Sequence, residues 1–254
     1  MDKKTIISIN NISKSFGGVK AVDDVSFSVK QNEIKALIGP NGAGKTTLFN
    51  IITKLYTKDS GKIIFLDEDM EKYKSYNFAK MGISRTFQNI QLVDDLTVLE
   101  NIALGYHSKM SVNLFDAFIH NRKNKRQEER ANEKSLEILK FLKIEHMADK
   151  YPNEIPFGHK RLVEISRALV NDPVLLMLDE PAAGLNESET NRLLKTIFRI
   201  WEKGVTIFLI EHDMNLVMNC SHSIVVMDSG KKIAEGTPSY IQNNDNVIKA
   251  YFGE

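Results

Sequence analysis

The residues from Gly39 to Thr46 have the types and spacing of a phosphate-binding loop. They read GPNGAGKT, which satisfies the pattern G-x-x-x-x-G-K-[ST], and they lie between the apolar segment Ile34–Ile38 and a segment with helical spacing. Glycines let the backbone turn tightly and point its N–H groups inward, and the N-terminus of the following helix adds positive potential. We therefore predict that this loop binds the phosphates of a nucleoside triphosphate.

Three side chains at the end of the loop have the chemistry that nucleotide and metal binding require. We predict that Lys45 reaches the β- and γ-phosphates, that Thr46 ligates Mg²⁺ and that Thr47 hydrogen-bonds the α-phosphate. The residues of this region that are predicted to contact the nucleotide are Gly39, Pro40, Asn41, Gly42, Ala43, Gly44, Lys45, Thr46 and Thr47.

Two adjacent carboxylates, Asp179 and Glu180, follow the apolar run Val174–Leu178. Asp179 can hold Mg²⁺ through water, and Glu180 can polarise the attacking water as a general base. Two carboxylates at the end of an apolar strand are costly to bury without a cation. The pattern therefore favours a catalytic site over the alternative, a strand that merely ends in acidic residues.

Gln88 and His212 complete the candidate site by their positions along the chain. Gln88 lies where the predicted core gives way to a helical segment, and its carbonyl oxygen can ligate Mg²⁺. His212 follows the predicted strand Thr206–Ile210, and a side chain beyond the carboxyl end of a parallel strand faces the ligand crevice. Each is a weak signal alone, so the prediction depends on their order relative to the phosphate loop and the carboxylates.

The elements that must position these residues alternate between strand and helix patterns, which is typical of a parallel sheet with helices on both faces. The predicted strands include Ile6–Ile9, Ala21–Val29, Ile34–Ile38, Lys62–Leu66, Val174–Leu178 and Thr206–Ile210, and the predicted helices include 46–55, 161–170 and 187–201. Apolar residues between about 89 and 156 follow helical spacing. We predict one α/β domain over residues 1–254, with a core of 1–88 and 157–254 and a mainly helical insertion of 89–156.

Composition limits the classes of partner and compartment. The 34 basic and 33 acidic side chains nearly cancel, so bulk charge gives no support to a nucleic-acid partner. We interpret the basic stretch His120–Asn132, which holds NRKNKRQEER, as a solvated helix face or loop; an electrostatic contact to a partner or to lipid head groups is the alternative.

Cysteine usage and hydropathy point to a cytoplasmic chain. The single cysteine, Cys220, fits a reducing compartment. The start MDKKTIISIN lacks the pattern of a signal peptide, and no apolar run approaches the roughly 18–20 residues that span a bilayer. We therefore expect any membrane association to come through a partner.

With these motifs in this order, the chain resembles the ATP-binding subunits of ABC transporters over its whole length. The resemblance implies an α/β P-loop NTPase fold with a RecA-like parallel core, an N-terminal antiparallel β subdomain and a helical insertion. It implies that Gln88 is the Q-loop glutamine, that Asp179 and Glu180 end the Walker B motif, and that His212 is the switch histidine. It also implies that Phe16 stacks on adenine, the alternative being an ordinary core phenylalanine.

The family's signature, usually Leu-Ser-Gly-Gly-Gln, reads IPFGH at residues 155–159. The resemblance implies that Gly158 and His159 contact the nucleotide bound by a second cassette in a head-to-tail pair. The serine that contacts the γ-phosphate is replaced by Pro156, which has neither a hydroxyl nor a backbone N–H. A hydrogen bond to a charged group contributes roughly 1.5–3 kcal/mol, so this contact is weakened unless the Gly158 N–H and the helix dipole compensate.

Residues 82–88, 178–186, 210–214 and 236–253 resemble the ATPase subunits of branched-chain amino acid importers more closely. This finer resemblance implies ATP and Mg²⁺ as cofactors and integral membrane permease subunits as partners. It also implies a second ATPase cassette, an extracytoplasmic solute-binding protein, and a peripheral place on the cytoplasmic face of the plasma membrane.

Other functions remain as alternatives. An importer for urea, amides or other amino acids, an exporter cassette, and a soluble ABC ATPase that acts on DNA or ribosomes share the same motifs. A P-loop GTPase would need the guanine-reading motif Asn-Lys-x-Asp, which the chain does not contain.

Overall fold

Two β-sheets organise the part of the chain that the structure, a computed structural model, describes: residues 3–109 and 122–252. The strands are β1 (Thr5–Phe16), β2 (Val19–Lys30), β3 (Ile34–Ile38), β4 (Ser60–Phe65), β5 (Glu68–Asp69), β6 (Ile83–Arg85), β7 (Leu175–Asp179), β8 (Thr206–Ile210), β9 (Ser223–Asp228) and β10 (Lys231–Gly236). The α-helices are α1 (Lys45–Ile52), α2 (Phe78–Met81), α3 (Val98–Ala103), α4 (Arg122–Leu142), α5 (Phe157–Leu169), α6 (Glu187–Glu202), α7 (Met214–Cys220), α8 (Pro238–Gln242) and α9 (Asp245–Phe252). Short 3₁₀ helices are Met70–Lys72, Ser75–Asn77, Leu104–Lys109, Glu145–Met147 and Pro152–Glu154.

The larger sheet has the strand order β10-β9-β3-β8-β7-β6. Strands β9, β3, β8, β7 and β6 are parallel, and β10 pairs antiparallel with β9 at one edge. β3, β7 and β8 are buried at every position, as expected for central strands covered on both faces. The predicted α/β fold with a parallel core sheet is confirmed.

Parallel pairing brings the candidate site residues to one edge of this sheet. The carboxyl ends of β3, β8 and β7 are neighbours, and β6 adds a fourth parallel end beside β7. The segments that follow these strands begin with Gly39, Glu211, Glu180 and Thr86 respectively. A ligand crevice is therefore expected at this edge.

The smaller sheet, with the order β2-β1-β4-β5, is antiparallel throughout and packs on one face of the larger sheet. Its apolar residues share a core with Phe49 of α1 and Phe208 of β8. The predicted strand Ile6–Ile9 is too short, because β1 continues to Phe16. Register shifts after Ile9 interrupt the period-two alternation there, and Asn11 has a φ of 50°.

The other face of the larger sheet is covered by α3, α4, α5 and α6, whose apolar residues share a second core with Ala36, Leu178 and Leu209. The elements that the structure describes between residues 98 and 154 are helical, and residues 110–121 of the predicted insertion lie outside the described ones. The described part of the basic stretch lies on α4, where Arg126 and Arg130 are exposed. Within residues 3–109 and 122–252, no helix combines the length and the apolar character needed to cross a membrane.

Candidate nucleotide-binding and hydrolysis site

The phosphate loop (Gly39–Thr46) connects β3 to α1, as predicted. Lys45 is the first residue of α1, and its Nζ donates hydrogen bonds to the carbonyl oxygens of Gly39 at 2.7 Å and of Pro40 at 3.0 Å. Burial lowers the pKa of the Lys45 ammonium below its ordinary value, and the negative charge of Glu180 acts in the opposite direction. The lysine therefore lies inside the loop and close to a predicted catalytic carboxylate.

Two glycines of the loop are required by close packing as well as by conformation. Gly44 has a φ of 95°, and a Cβ atom there would lie 2.1 Å from the carbonyl oxygen of Ala21 in β2. A Cβ atom on Gly39 would lie 2.1 Å from the carbonyl oxygen of Met227 in β9. Any larger residue must displace the backbone of a neighbouring strand, so these contacts fix the shape of the loop.

Asp179, the last residue of β7, is almost completely buried, with a side chain that is 3% exposed. Its Oδ2 accepts a hydrogen bond of 2.7 Å from Arg85 Nη2, and its backbone N–H donates to Thr86 Oγ1. Its Oδ1 is buried and has no hydrogen-bond partner among the residues that the structure describes. A buried carboxylate oxygen without a partner is unfavourable, and carboxylate oxygen is a ligand that Mg²⁺ prefers. These atoms fit the predicted Mg²⁺ role of Asp179.

Glu180 lies between Gln88 and His212. Its Oε2 accepts a hydrogen bond of 2.9 Å from Gln88 Nε2 and lies 3.6 Å from His212 Nδ1. The backbone of Glu180 has a φ of 45°, which is uncommon for a residue other than glycine, and its N–H donates to the carbonyl oxygen of Ile210. Such conformations cluster at active sites. The structure thus brings together three of the side chains that the sequence predicts.

The structure gives less evidence for the predicted roles of Thr46, Thr47 and the Gln88 carbonyl oxygen. Thr46 is exposed in the first turn of α1, and Thr47 is half-buried beside it. The Gln88 side chain contacts Glu180 through its amide nitrogen, so the role of its carbonyl oxygen as a Mg²⁺ ligand stays a prediction.

Glu211 is a site residue that sequence analysis missed. Its side chain is fully buried and accepts hydrogen bonds from the backbone N–H groups of Ala182 at 2.6 Å, His212 at 3.0 Å and Asp213 at 3.2 Å. Burial raises the pKa of the Glu211 carboxyl, and the three N–H donors oppose that rise. Glu211 joins the segment after β8 to the segment after β7. Its position between an apolar strand and the predicted catalytic histidine was the only signal in the sequence.

Arg85 is the second residue that was missed. Its Nη1 donates to Thr53 Oγ1 at 2.6 Å, its Nη2 donates to Asp179, and its guanidinium lies over the rings of Phe49 and Phe87 at 5.0 and 5.2 Å. No sequence pattern pairs an arginine before Gln88 with a carboxylate 94 residues later.

Phe16 lies at the end of β1 and is 45% exposed, so the alternative that it is a core phenylalanine is wrong. Its ring packs edge-to-face on Tyr56 at 5.5 Å between centroids, and Lys14 Nζ lies 5.3 Å from its centre. An exposed, supported aromatic ring is suited to stacking on a base. Its adenine contact stays a prediction.

The signature segment (residues 155–159) contacts α6. Pro156 is the N-cap residue of α5 and makes no side-chain capping bond, and α5 begins four residues before the predicted start. The Gly158 N–H donates to Glu189 Oε1 at 3.2 Å, and His159 Nε2 lies 2.7 Å from Arg192 Nη1. Burial lowers the pKa of His159. Contact of Gly158 and His159 with a second cassette's nucleotide stays a prediction.

Comparisons with known proteins agree with this geometry. A family profile described as "ABC transporter" matches residues 22–183, and one described as "Branched-chain amino acid ATP-binding cassette transporter" matches residues 231–254. The chain is 39% identical over 250 residues to the high-affinity branched-chain amino acid transport ATP-binding protein LivG of Escherichia coli (strain K12), covering 98% of each chain.

Solved structures show the same similarity. The ADP conformation of an ATP-binding cassette of an ABC transporter matches with a TM-score of 0.85 and 34% identity, covering 98% of this chain and 99% of the other. The dimeric, post-hydrolysis state of an ATP-binding cassette bound to ADP and Pi matches with a TM-score of 0.75 and 25% identity, covering 92% and 99%.

Proposed function

The chain belongs to the ABC transporter family of ATP-binding cassettes, and from this premise we propose that it hydrolyses ATP to power the import of branched-chain amino acids. The observation that carries the ATPase function is the Glu180 carboxylate, held between Gln88 and His212 beside the phosphate loop. The match of residues 231–254 to the branched-chain family and the 39% identity to LivG support the substrate class.

The reaction is the attack of water on the γ-phosphorus of ATP. Glu180 accepts a proton from this water as its oxygen bonds to phosphorus, and the bond between phosphorus and the β,γ-bridging oxygen breaks to release ADP. His212, 3.6 Å from Glu180, orients the reacting groups. Lys45 binds the β- and γ-phosphates, and the backbone N–H groups of the phosphate loop surround them.

Thr46, Gln88 and Asp179 would hold Mg²⁺ at this edge of the sheet. A bound Mg²⁺ supplies positive charge against the developing charge on the phosphate oxygens. The Oδ1 of Asp179, which has no hydrogen-bond partner among the described residues, supports this assignment. Asp179 thus contributes a metal ligand, and Glu180 contributes the base.

A second cassette completes the site. In this proposal two cassettes meet head to tail, and Gly158 and His159 of one contact the nucleotide bound by the other. The dimeric state of one similar cassette supports this arrangement. The second cassette is a homologue or a second copy of this chain.

Membrane permease subunits dock beside Gln88 in this proposal and place the chain on the cytoplasmic face of the membrane. A groove of about 390 Å³ lies between α2, β6 and α5, directly before Gln88. Its lining combines apolar side chains with cations and includes Leu55, Phe78, Ala79, Phe87 and Arg167. Such a lining suits a short amphipathic segment of a permease. The extracytoplasmic solute-binding protein acts through the permeases.

Glu180→Gln tests the ATPase function. We expect the variant to retain ATP binding and to lose at least 10²-fold in turnover, because the general base is removed while the phosphate loop is kept. Glu68→Gln, an exposed position on β5, is the matched control and should match the wild type. Hydrolysis by Glu180→Gln at the wild-type rate would show that Glu180 is not the base.

Reconstitution with the permeases and the solute-binding protein tests the substrate class. We expect leucine, isoleucine and valine to stimulate ATP hydrolysis. Stimulation by urea or short amides instead would exclude the branched-chain assignment and leave the ATPase function intact.

A further inference from the structure

A buried ion pair lies within α5, outside the catalytic residues assigned above. Arg161 Nη1 and Glu164 Oε2 are 2.7 Å apart, and each side chain is only 1% exposed. Desolvation of two charges offsets most of their attraction, so such a pair contributes little net stability compared with apolar residues of similar size. The stability of α5 therefore does not account for the pair.

Glu164 Oε1 and the two terminal nitrogens of Arg161 also bind the backbone of Phe87 and Gln88. Glu164 Oε1 accepts the Phe87 N–H at 3.1 Å. Arg161 donates from Nη1 to the Phe87 carbonyl oxygen at 3.0 Å and from Nη2 to the Gln88 carbonyl oxygen at 2.9 Å. These two residues lie beyond the end of β6 and belong to no helix or strand. Side chains of α5 thus hold this segment from both its N–H and its C=O sides.

The position of this segment decides where the Gln88 side chain lies. Gln88 Nε2 donates to Glu180 Oε2 at 2.9 Å, so a displacement of the Gln88 backbone removes the contact with the general base. Gly158 lies in the first turn of α5, three residues before Arg161. One short helix therefore joins the signature segment to the Gln88–Glu180 contact.

We infer that Arg161 and Glu164 are positioning residues that hold Gln88 against Glu180 and couple the signature segment of this cassette to the base of its own nucleotide site. This inference rests on the proposed ATPase function. Contact of Gly158 with the partner's nucleotide changes the position or the mobility of the first turn of α5. Through the hydrogen bonds of the buried pair, this changes the position or the mobility of the Gln88 backbone. Both side chains of the pair are almost fully buried, so we assign them a positioning role and no contact with a nucleotide.

A variant without both charges distinguishes the positioning of Gln88 from a role of the pair in the stability of the fold. A single variant such as Arg161→Met leaves a buried, unpaired carboxylate and is expected to unfold easily. Arg161→Met combined with Glu164→Leu removes both charges and keeps an apolar side chain of similar length at each position, so the fold is retained. Gln88 is an exposed residue, so water can replace the side-chain partner of its carbonyl oxygen in the double variant.

The experiment measures kcat, KM for ATP, nucleotide affinity and thermal unfolding on the purified full-length chain. For the double variant we expect kcat to fall on the order of 100-fold, as for a catalytic group displaced by about 1 Å, with ATP affinity within threefold of the wild type. Lys35→Met with Glu235→Leu removes a partly buried pair of the same 2.7 Å length elsewhere in the fold and should leave kcat unchanged.

Hydrogen exchange gives a readout that does not depend on activity. The Phe87 N–H is expected to exchange faster in the double variant than in the wild type or in the Lys35/Glu235 control. A folded double variant with wild-type kcat, or with unchanged exchange at Phe87, would overturn the inference. Wild-type protein without ATPase activity would instead refute the proposed function, so the two failures are distinguishable.

Discussion

Replacement of Arg85 by methionine tests whether Arg85 is the group that stabilises the buried Asp179 carboxylate. Arg85 is the cation that the structure places on Asp179, at 2.7 Å, and the two side chains are 10% and 3% exposed. Arg85→Met keeps the apolar contact with Phe49 and Phe87 but leaves Asp179 buried without its partner. Since Asp179 Oδ1 already has no partner in the described part of the chain, the whole carboxylate loses its compensation.

The expected loss is large because the pair is buried. Breaking a buried pair by removing one member lowers the free energy of unfolding by about 3–5 kcal/mol. For a domain of this length each kcal/mol corresponds to about 2–4 °C, so the melting temperature should fall by roughly 6–20 °C. Lys4→Met is the matched control: it breaks a pair of 2.9 Å between side chains that are 60% and 79% exposed, and the expected loss is below about 1 kcal/mol.

Urea and thermal unfolding of wild type, Arg85→Met and Lys4→Met provide the measurement. A second arm adds Mg²⁺ and ADP, which should stabilise Arg85→Met more than the wild type if a cation binds at Asp179 Oδ1. A third arm, Arg85→Met with Asp179→Asn, removes the charge and should recover much of the lost stability. An Arg85→Met protein that unfolds within 1 kcal/mol of the wild type would refute the claim that Arg85 compensates Asp179.

Three further outcomes follow from individual contacts. Gly44→Ala should abolish tight ATP binding in a titration, because its Cβ atom would lie 2.1 Å from a main-chain oxygen of β2. Gly204→Ala is the control and should bind ATP normally, because Gly204 has a φ of 88° but no atom within 4 Å of the added Cβ. Burial raises the pKa of the Cys220 thiol from 9.0 to about 12. The thiol of the unfolded chain therefore ionises first as pH rises, and the contribution of Cys220 to the free energy of unfolding is lost between about pH 9 and 12. In Cys220→Ala the free energy of unfolding, measured with urea, should fall less steeply over that range. Glu189→Gln removes the negative charge of the carboxylate that accepts the Gly158 N–H. We expect the ATP concentration needed for cassette dimerisation to fall by five- to tenfold, or about 1–1.4 kcal/mol. Size-exclusion chromatography follows the dimerisation. An unchanged midpoint would mean that Gly158 does not meet the partner's phosphate.

Much of the fold was predictable because its signals are local. The apolar runs of β3, β7 and β8 are unbroken, which is typical of central parallel strands, and their order along the chain predicted the parallel core. The short β6 and the strands β9 and β10 were not predicted. β6 has only three residues, and the alternation of β10 is interrupted by a register shift.

The sequence by itself determined the phosphate loop, the paired carboxylates and the order of Gln88 and His212 around them. Those residues are consecutive or follow strand ends, so spacing along the chain carries the information. Only the tertiary structure decided that Arg85 neutralises Asp179, that Glu211 joins two loops, and that Arg161 and Glu164 hold the backbone of residues 87–88. These contacts join residues that are far apart in the chain, and their energies come from the burial of charged groups, which depends on the packing of α5 and the sheet.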